Sequence, residues 1–256
     1  MYDKDRILAH LNQVSYWFQY FEVAPGIFTP GSNNVVDICD KLQIPKDLTG
    51  MSVLDVGAYD GGFSFECERR GALRVVAYDL PEPSQTGFNV AKEILGSKVE
   101  YVRGSVYKLD SNQIGTFDIV LFAGVLYHLR YPLLACDRLR LVTKSLCYIE
   151  TQVIDNWFVT PNGTVSLSQV APKCVSLPIC QFYEHAELGN DTSNWFSPNI
   201  AAVLAWFRSA GFDINHLTSW GGRAAFRAEV APGLPSYQQS ISYEGLVSGN
   251  SQLSIL

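Results

Sequence analysis

The sequence has no apolar run close to the roughly 18 residues of a membrane span, and its first residues, MYDKDRILAH, contain no apolar core of a secretion signal. Positive charge is also scarce, since 19 Lys and Arg residues stand against 25 Asp and Glu residues and the net charge is −6. A surface that binds nucleic acid is normally basic. We therefore expect a cytoplasmic protein with no membrane partner, and nucleic acid is disfavoured as a partner.

The spacing patterns of a metal site or a disulfide framework are absent too. The six cysteines form no CxxC pair and stand mostly in apolar segments, which favours buried, reduced thiols. Glu184, His185 and Glu187 are close together in YEHAEL, but one histidine with scattered acids is usually solvated surface. We expect no bound metal.

What the sequence does contain is an alternation of apolar strands and helices, which predicts an α/β fold of the doubly wound, Rossmann-like kind. Apolar residues make up 47% of the 256 residues, enough to bury one such domain with a cap or an insertion. The predicted sheet has seven strands, mostly parallel, and its antiparallel last strand belongs to a hairpin that turns at Gly221 and Gly222.

The domain is expected at residues 46–230, between an N-terminal helical cap or lid at 1–45 and a C-terminal tail at 231–256. Residues 154–195 show no clean periodicity and are expected to form an insertion after the fifth strand, at the acceptor site. Helices are predicted at 11–21, 35–44, 84–95, 132–143 and 197–212, and strands at 53–56, 73–80, 99–106, 117–125 and 145–153.

The stretch VLDVGAYDGGFSF, residues 53–65, passes from an apolar strand through three glycines into a helix. Glycine allows positive φ and lets a ligand approach the backbone closely. A strand, a tight glycine turn and a helix form the arrangement that binds nucleotide-like cofactors at the end of a parallel strand. A plain strand–helix turn also uses glycines, because short glycine patterns are common.

Acidic residues around this turn indicate the kind of ligand. The next strand, LRVVAYDL, ends in Asp79 about 20 residues after the turn, where an acid accepts hydrogen bonds from two ribose hydroxyls. The turn has no Lys–Ser/Thr pair for phosphate, and Asp60 within it would repel a pyrophosphate. S-adenosylmethionine carries a sulfonium and an amino group. We therefore expect it as the cofactor, with Asp55 and Asp60 favouring its positive end.

Four segments, in order, resemble the class I S-adenosylmethionine-dependent methyltransferases. They are VLDVGAYDGGFSFECERRGALRVVAYDL, FDIVLFAGVLYHLRYPLLACDRLR, YIETQV and NWFSPNIAAVLAWFRSAGF. With SYWFQYFEVAPGIFTPG near the N-terminus, they are most similar to the wobble-uridine (tRNA 5-oxyacetate) methyltransferase-like group. One departure is Tyr59, which replaces the middle glycine of the usual Gly-x-Gly-x-Gly turn and narrows the space over the loop.

The resemblance implies a cofactor site at the ends of the first four strands. Asp55 and Gly57 would line the methionine moiety, and Asp79 would bind the ribose hydroxyls. The implied site also includes Ala58, Gly61, Leu80, Ser105, Val106, Ala123 and Gly124. Tyr16 and Trp17 would belong to an aromatic lid over the cofactor, although such a run is otherwise plain core.

His128 follows the fourth strand directly, in GVLYHL, and should face the cofactor cleft. A histidine at this place would be a general base for a hydroxyl acceptor, since it titrates near neutral pH. Alternatively, it is a structural residue that fixes the turn after the strand. Tyr127 is the second candidate catalytic residue, which would cover the sulfonium or pack on the adenine, or would belong to the core.

The expected acceptor is a small molecule with a hydroxyl, amine or thioether. Polar and aromatic residues of the insertion, among them Asp191 and Trp195, would supply its pocket. An RNA-modifying enzyme would need a basic docking surface, and the sequence has no Lys- and Arg-rich domain for one. A tRNA wobble-uridine enzyme and a catalytically silent cofactor-binding subunit are the alternatives. The sequence does not indicate an oligomeric state.

Overall fold

The computed structural model describes residues 4–232, and the expected tail at 231–256 lies almost wholly outside them. The helices are α1 (Lys4–Leu11), α2 (Val35–Lys41), α3 (Gly62–Arg69), α4 (Phe88–Leu95), α5 (Ser111–Ile114), α6 (Pro132–Val142), α7 (Leu167–Val170) and α8 (Ile200–Ser209), with 3-10 turns at Val106–Lys108, Leu126–His128 and Pro172–Cys174. The strands are β1 (Gln19–Tyr20), β2 (Glu22–Ala24), β3 (Ile27–Phe28), β4 (Asn33–Asn34), β5 (Ser52–Val56), β6 (Arg74–Asp79), β7 (Glu100–Arg103), β8 (Phe117–Ala123), β9 (Thr143–Gln152), β10 (Phe158–Thr160), β11 (Gly163–Val165), β12 (Cys180–Phe182), β13 (Phe196–Pro198), β14 (Phe212–Trp220) and β15 (Arg223–Val230).

Seven of these strands form one mixed sheet in the order β14–β15–β9–β8–β5–β6–β7. The five strands from β5 to β9 are parallel, whereas β15 is antiparallel to both β9 and β14. The chain extends the sheet to one side of β5 through β6 and β7, and to the other side through β8 and β9. The doubly wound, mostly parallel sheet with an antiparallel last strand is thus confirmed.

Helices cover both faces of the sheet, which explains why its central strands are apolar on both faces over most of their length. Val53 on β5 packs in a cluster with residues of α1, α2, α3 and α4. The next residue, Leu54, points to the other face and packs with residues of α6 and α8. Both side chains are fully buried. A strand with two buried faces has no polar alternation to mark it.

The prediction of a helix at residues 11–21 is wrong, because the aromatic run is extended. Helix α1 ends at Leu11, whose carbonyl oxygen accepts a hydrogen bond from the Trp17 indole at 3.0 Å. Beyond that point β1 pairs in parallel with β4, and β2 forms an antiparallel hairpin with β3. The segment therefore takes its hydrogen-bond partners from distant parts of the chain, which a local pattern does not reveal.

Asp60 of the glycine turn holds this N-terminal segment against the sheet. Its Oδ2 accepts hydrogen bonds from the backbone N–H groups of Phe18 (2.8 Å) and Gln19 (2.9 Å), and its Oδ1 accepts one from the N–H of Gly87 (2.9 Å). The side chain is fully buried. Burial raises the pKa of Asp60, and the three backbone donors oppose that rise. The expectation that Asp60 attracts a cofactor is corrected, since its carboxylate is bound within the protein.

Gln19 completes the attachment from the opposite side. Its Oε1 accepts a hydrogen bond from the N–H of Gly62, the first residue of α3, at 2.7 Å, and its Nε2 donates to the Ala58 carbonyl at 3.2 Å. Gly62 has no room for a side chain, because a Cβ would lie 2.7–2.9 Å from three neighbouring side chains. The N-terminal segment therefore packs directly on the turn that opens α3.

Replacing Asp60 with asparagine should destabilise the protein by about 1–3 kcal/mol, because the amide nitrogen would face a buried N–H that needs an acceptor. We expect a lower urea midpoint and faster hydrogen exchange of the amides at residues 17–21. Asp213→Asn, at an exposed position on β14, is the control and should change neither. Unaltered midpoint and exchange in Asp60→Asn would show that this carboxylate does not hold the segment.

Candidate functional site

A cleft of about 300 Å³ opens at the carboxyl ends of β5 and β6, beside the point where the strand order reverses. Doubly wound sheets bind ligands at this position. The cleft is lined by Val56, Gly57, Tyr78, Asp79, Leu80, Gly104, Ser105, Val106, Tyr107, Val125, His128, Leu129, Arg130 and Trp195. The fold thus brings together His128 and five expected cofactor residues, which are Gly57, Asp79, Leu80, Ser105 and Val106.

Gly57 forms the part of the wall that follows β5. Its φ is +82°, and a Cβ there would lie 2.2 Å from a methyl group of Val125. The Gly57 N–H donates to the Tyr78 carbonyl at 2.8 Å, which continues the pairing of β5 with β6 past the end of the strand. Only glycine fits both the conformation and the space. The backbone is therefore bare where it faces the cleft.

Asp79, the last residue of β6, supplies the carboxylate of the cleft. Oδ2 accepts a hydrogen bond from the Tyr59 N–H at 2.8 Å and Oδ1 accepts one from the Leu80 N–H at 2.7 Å. Burial raises the pKa of Asp79, and these two hydrogen bonds lower it. A carboxylate has about four lone-pair sites, so each oxygen retains a site for a ligand hydroxyl.

The third side of the cleft is apolar and begins after β7. Val106 and Leu129 line it together with Tyr107. The Tyr78 hydroxyl donates to the Ser105 carbonyl at 3.1 Å and so fixes this loop to β6. A flat apolar ring fits against such a wall. Asp79 matches the two ribose hydroxyls of S-adenosylmethionine, Gly57 matches its methionine moiety, and the apolar wall matches its adenine. The cleft therefore fits the expected cofactor.

Asp55 lies behind the cleft instead of on its surface. The side chain is almost fully buried and accepts a hydrogen bond from the Ser64 hydroxyl of α3 at 2.7 Å. Burial raises the pKa of Asp55 to about 7, despite the opposing hydrogen bond from Ser64, and the nearby Asp79 raises it further. The carboxyl group therefore changes charge near neutral pH.

Four more of the expected cofactor residues lie outside the cleft lining. Ala58 is fully buried, and Gly61 packs against aromatic rings, since a Cβ there would lie 2.5 Å from Phe88. Trp17 is buried, with its ring against Gly87, whereas Tyr16 is 60% exposed. Trp17 therefore supports the loop after β6, and only Tyr16 has a free surface.

Ala123, the last residue of β8, and the following Gly124 lie beside an ion pair that no sequence motif indicates. Arg223 donates to both carboxylate oxygens of Glu150, from Nε at 2.5 Å and from Nη2 at 2.6 Å. The guanidinium lies 4.8 Å from the centre of the Tyr127 ring. Burial raises the pKa of Tyr127, so its hydroxyl keeps its proton. This cluster lies beside the end of β8, and its Tyr127 directly precedes His128 of the cleft.

His128 ends the short turn after β8 and faces the cleft. Its Nδ1 lies 2.9 Å from the hydroxyl oxygen of Ser193 in the insertion. Burial lowers the pKa of His128, and Asp191 partly opposes that effect. A lowered pKa means that the ring is neutral at pH 7 and becomes protonated only under more acidic conditions. A neutral imidazole can accept a proton.

The end of the insertion forms part of the cleft wall. The Trp195 N–H donates to the Tyr127 carbonyl at 2.8 Å, and the Arg130 guanidinium lies 4.7 Å from the Trp195 ring centre. Trp195 was expected only as a residue of the acceptor pocket. Its position after an irregular stretch gave no signal for this contact. Arg130 lies in a segment that resembles the methyltransferases but was given no role there, and Arg223 lies outside those segments.

A larger groove of about 560 Å³ lies elsewhere, between the β2–β3 hairpin, α2 and α3. It shares no lining residue with the cleft, and its walls include exposed Phe28 and Val36. Among residues 4–232, no group of three or more His, Cys, Asp or Glu side chains is arranged to hold a metal ion. No helix within the same residues has the length and apolar character to cross a membrane.

A family profile described as "Methyltransferase domain" matches residues 34–217. Among curated proteins, the chain is similar to a tRNA U34 carboxymethyltransferase of Haemophilus influenzae (strain PittGG), with 28% identity over 216 residues. The match covers 82% of this chain and 60% of that protein. The chain therefore spans less than two thirds of the length of this relative.

Two solved structures have a similar fold. The N-terminal domain of EvdMO1, crystallised in the presence of SAH and D-fucose, has a TM-score of 0.61 and 20% identity, over 90% of this chain and 98% of that one. Magnesium protoporphyrin IX methyltransferase from Synechocystis PCC 6803 with bound SAH has a TM-score of 0.52 and 15% identity, over 77% and 81% of the two chains. Both similarities concern the Rossmann-like α/β architecture.

Asp79→Ala should weaken the binding of S-adenosylhomocysteine at least tenfold. Hydrogen bonds to a charged group contribute roughly 1.5–3 kcal/mol each, and the variant loses the acceptor for the ribose hydroxyls. Isothermal titration calorimetry measures the affinity, and circular dichroism verifies the fold. Asp213→Ala on the exposed face of β14 is the control. Equal affinity of Asp79→Ala and wild type for S-adenosylhomocysteine would show that the cofactor does not bind at this strand end.

The raised pKa of Asp55 predicts a loss of stability as the pH rises. Because its pKa rises from 3.8 to about 7 on folding, its stabilising contribution is complete below pH 3.8 and disappears as the pH passes 7. The melting temperature of wild type should therefore fall relative to that of Asp55→Asn between pH 5.5 and pH 8. Asparagine still accepts the Ser64 hydroxyl. A difference that does not vary with pH would contradict the assignment.

Proposed function

We propose that this chain, which belongs to the methyltransferase-domain family, transfers a methyl group from S-adenosylmethionine to a small-molecule acceptor. Its fold is the Rossmann-like α/β fold of S-adenosylmethionine-dependent methyltransferases, the class I type, and S-adenosylmethionine is the cofactor of that class. The proposed acceptor is a metabolite or natural product with a hydroxyl, amine or thioether.

The charge of the cleft is the observation that supports a small acceptor. Among the described residues that line it, Arg130 is the one Lys or Arg, and its guanidinium lies against Trp195. The nearby Arg223 is already neutralised by Glu150. A tRNA substrate needs several cationic side chains to neutralise its phosphates. The net charge of −6 favours the same conclusion.

Each wall of the cleft has a role in holding the cofactor. Asp79 would accept hydrogen bonds from the ribose hydroxyls, Val106 and Leu129 would hold the adenine, and Gly57 would let the methionine moiety approach the backbone. When bound, S-adenosylmethionine supplies an electrophilic methyl group on a positively charged sulfur. Gly124, the residue after β8, has no side chain and would leave a path for the acceptor toward that methyl.

His128 is the proposed proton acceptor. A hydroxyl or protonated amine must lose a proton when it is methylated, and a base at hydrogen-bond distance assists that loss. The lowered pKa keeps the imidazole neutral at pH 7, as a base requires. The insertion at residues 154–195 forms the wall of the acceptor site in this proposal, since its Ser193 contacts His128 and its Trp195 lines the cleft.

A second candidate is the transfer of a group that carries a carboxylate. The curated relatives are named carboxymethyltransferases, and Arg223 is a cation close to the end of β8 that a carboxylate would pair with. However, both carboxylate oxygens of Glu150 already bind the guanidinium. The carboxylate of a transferred group would have to bind an Arg223 whose charge Glu150 already neutralises. Plain methyl transfer is therefore the first proposal.

Transfer of tritium from methyl-labelled S-adenosylmethionine tests the proposed function. The protein is incubated with a small-metabolite extract and, separately, with bulk tRNA, and Asp79→Ala serves as the control without cofactor binding. Label in the metabolite fraction supports the proposal. Label only in tRNA establishes the RNA alternative, and binding of S-adenosylhomocysteine without any transfer identifies a silent subunit. A carboxymethyl group would need a donor whose sulfur carries a carboxylated methyl group. A parallel incubation with that donor, followed by mass spectrometry of the product, therefore tests the second candidate.

His128→Asn should lower kcat at least a hundredfold, since a general base contributes about 10²–10⁴-fold. Affinity for S-adenosylhomocysteine and the melting temperature should change little, and the acidic limb of the pH–rate profile should disappear. His216→Asn is the matched control, because His216 also contacts a serine hydroxyl but lies on the edge strand β14. A modest loss of kcat with an unchanged pH profile would contradict the role of His128 as a base. It would favour a thioether acceptor, whose sulfur has no proton to lose.

A further inference from the structure

Three side chains form a hydrogen-bonded series from the insertion to His128. His128 Nδ1 lies 2.9 Å from the Ser193 hydroxyl oxygen. That hydroxyl donates to Asp191 Oδ1 at 2.6 Å, and the Ser193 backbone N–H donates to the same oxygen at 2.8 Å. Among residues 4–232, the hydrogen-bond partner of the His128 ring is Ser193, through its hydroxyl at Nδ1 and through its backbone.

The number of protons in this series determines the tautomer of His128. Partial burial raises the pKa of Asp191, but the hydrogen bonds from Ser193 outweigh it and hold the pKa below its ordinary value. The ionised carboxylate only accepts hydrogen bonds, so the single hydroxyl proton of Ser193 points to it. Ser193 Oγ then offers a lone pair to His128. The neutral imidazole must therefore carry its proton on Nδ1.

Within the proposed function, on which this step rests because it makes His128 the base, we propose that Asp191 and Ser193 are positioning residues. They keep His128 in the Nδ1–H tautomer and leave the lone pair of Nε2 available to the acceptor. In the opposite tautomer Nε2 would carry the proton and would donate a hydrogen bond instead of accepting one. The insertion thus sets the tautomer of His128 and also forms part of the wall of the site.

The loop that carries Asp191 and Ser193 is attached firmly enough to serve this purpose. Asn194 is buried, and its Nδ2 donates to the Leu188 carbonyl at 3.0 Å, which closes the loop on itself. The following Trp195 N–H donates to the carbonyl of Tyr127, the residue before His128. The two ends of the series are therefore joined by backbone as well as by side chains.

Several elements place charged or titratable side chains near His128. Asp191 comes from the insertion, Arg223 from β15 with its partner Glu150 from β9, and Tyr127 and Arg130 flank the histidine in sequence. Asp191 raises the pKa of His128, whereas burial and Arg223 lower it. Removing the charge of Asp191 should therefore lower that pKa further. The acidic limb of a pH–rate profile that depends on His128 would move to lower pH.

Nuclear magnetic resonance of the ¹⁵N-labelled full chain reads the tautomer directly. At pH 8, wild type should show a protonated Nδ1 and an unprotonated Nε2 for His128, and His128→Asn identifies these signals among the four histidines. Ser193→Ala and Asp191→Ala should raise the share of the Nε2–H form. Asp191→Asn should retain the Nδ1–H form, because its amide oxygen still accepts from Ser193.

A protonated Nε2 in wild type would overturn the proposal, as would one common tautomer in wild type, Ser193→Ala and Asp191→Ala. The measurement requires neither cofactor nor acceptor. Its outcome is therefore separate from the success or failure of the proposed function.

Turnover supplies the second readout, with tritiated S-adenosylmethionine and the methyl-accepting fraction of the metabolite extract. Ser193→Ala should lower kcat roughly tenfold or more without changing affinity for S-adenosylhomocysteine. Asp191→Asn should lower kcat less than Asp191→Ala does, while its acidic limb moves to lower pH because the charge that raises the pKa of His128 is lost. Ser176→Ala, at an exposed serine of the same insertion, is the control and should match wild type.

Undiminished turnover in Ser193→Ala, alongside a large loss in His128→Asn, would overturn the positioning role. Undiminished turnover in His128→Asn would instead overturn the base role of the proposed function and this step with it. The tautomer measurement distinguishes the two failures.

Discussion

The buried carboxylate of Asp60 is the interaction on which the rest of the structure depends. It accepts three backbone N–H groups and so joins residues 18–19 and Gly87 to the glycine turn. A fully buried acceptor with three donors has no substitute among the neutral side chains of its size. The same turn presents Gly57 to the cleft and directs the N–H of Tyr59 to Asp79. One carboxylate therefore fixes both the N-terminal segment and the cofactor wall.

Local patterns in the sequence were sufficient for the sheet and for the cofactor end of the site. Apolar strands bounded by turn residues placed β5 to β9 in order, and a Gly–Gly pair placed the final hairpin. Gly57 and Asp79 were predicted from their places at the ends of two apolar strands, and Ser105 was predicted from the resemblance to class I methyltransferases. Because the carboxyl ends of parallel strands share one edge of the sheet, these residues had to meet in one cleft.

The parts that could not be predicted are contacts between residues far apart in sequence. Asp60 and Phe18 are separated by 42 positions, and the aromatic run around Phe18 was predicted to be a helix because its partner carboxylate was unknown. The ion pair of Glu150 with Arg223 spans 73 positions. The contact of His128 with the insertion spans 65. Each contact uses polar groups that are common in any sequence, including the backbone N–H of Phe18, and only the folded backbone brings them together.

The place of β15 between β9 and β14 has a consequence for biosynthesis. β9 is a ten-residue strand, and within the described residues 4–232 the edge of β9 that faces away from β8 pairs only with β15. While the ribosome is still adding residues 223–230, that edge presents a row of unpaired amide and carbonyl groups to other nascent chains. Once β15 has been released from the ribosome, it pairs with this edge of β9, and the backbone groups are no longer exposed. Slow translation or truncation in this segment would expose the chain to aggregation and to chaperones.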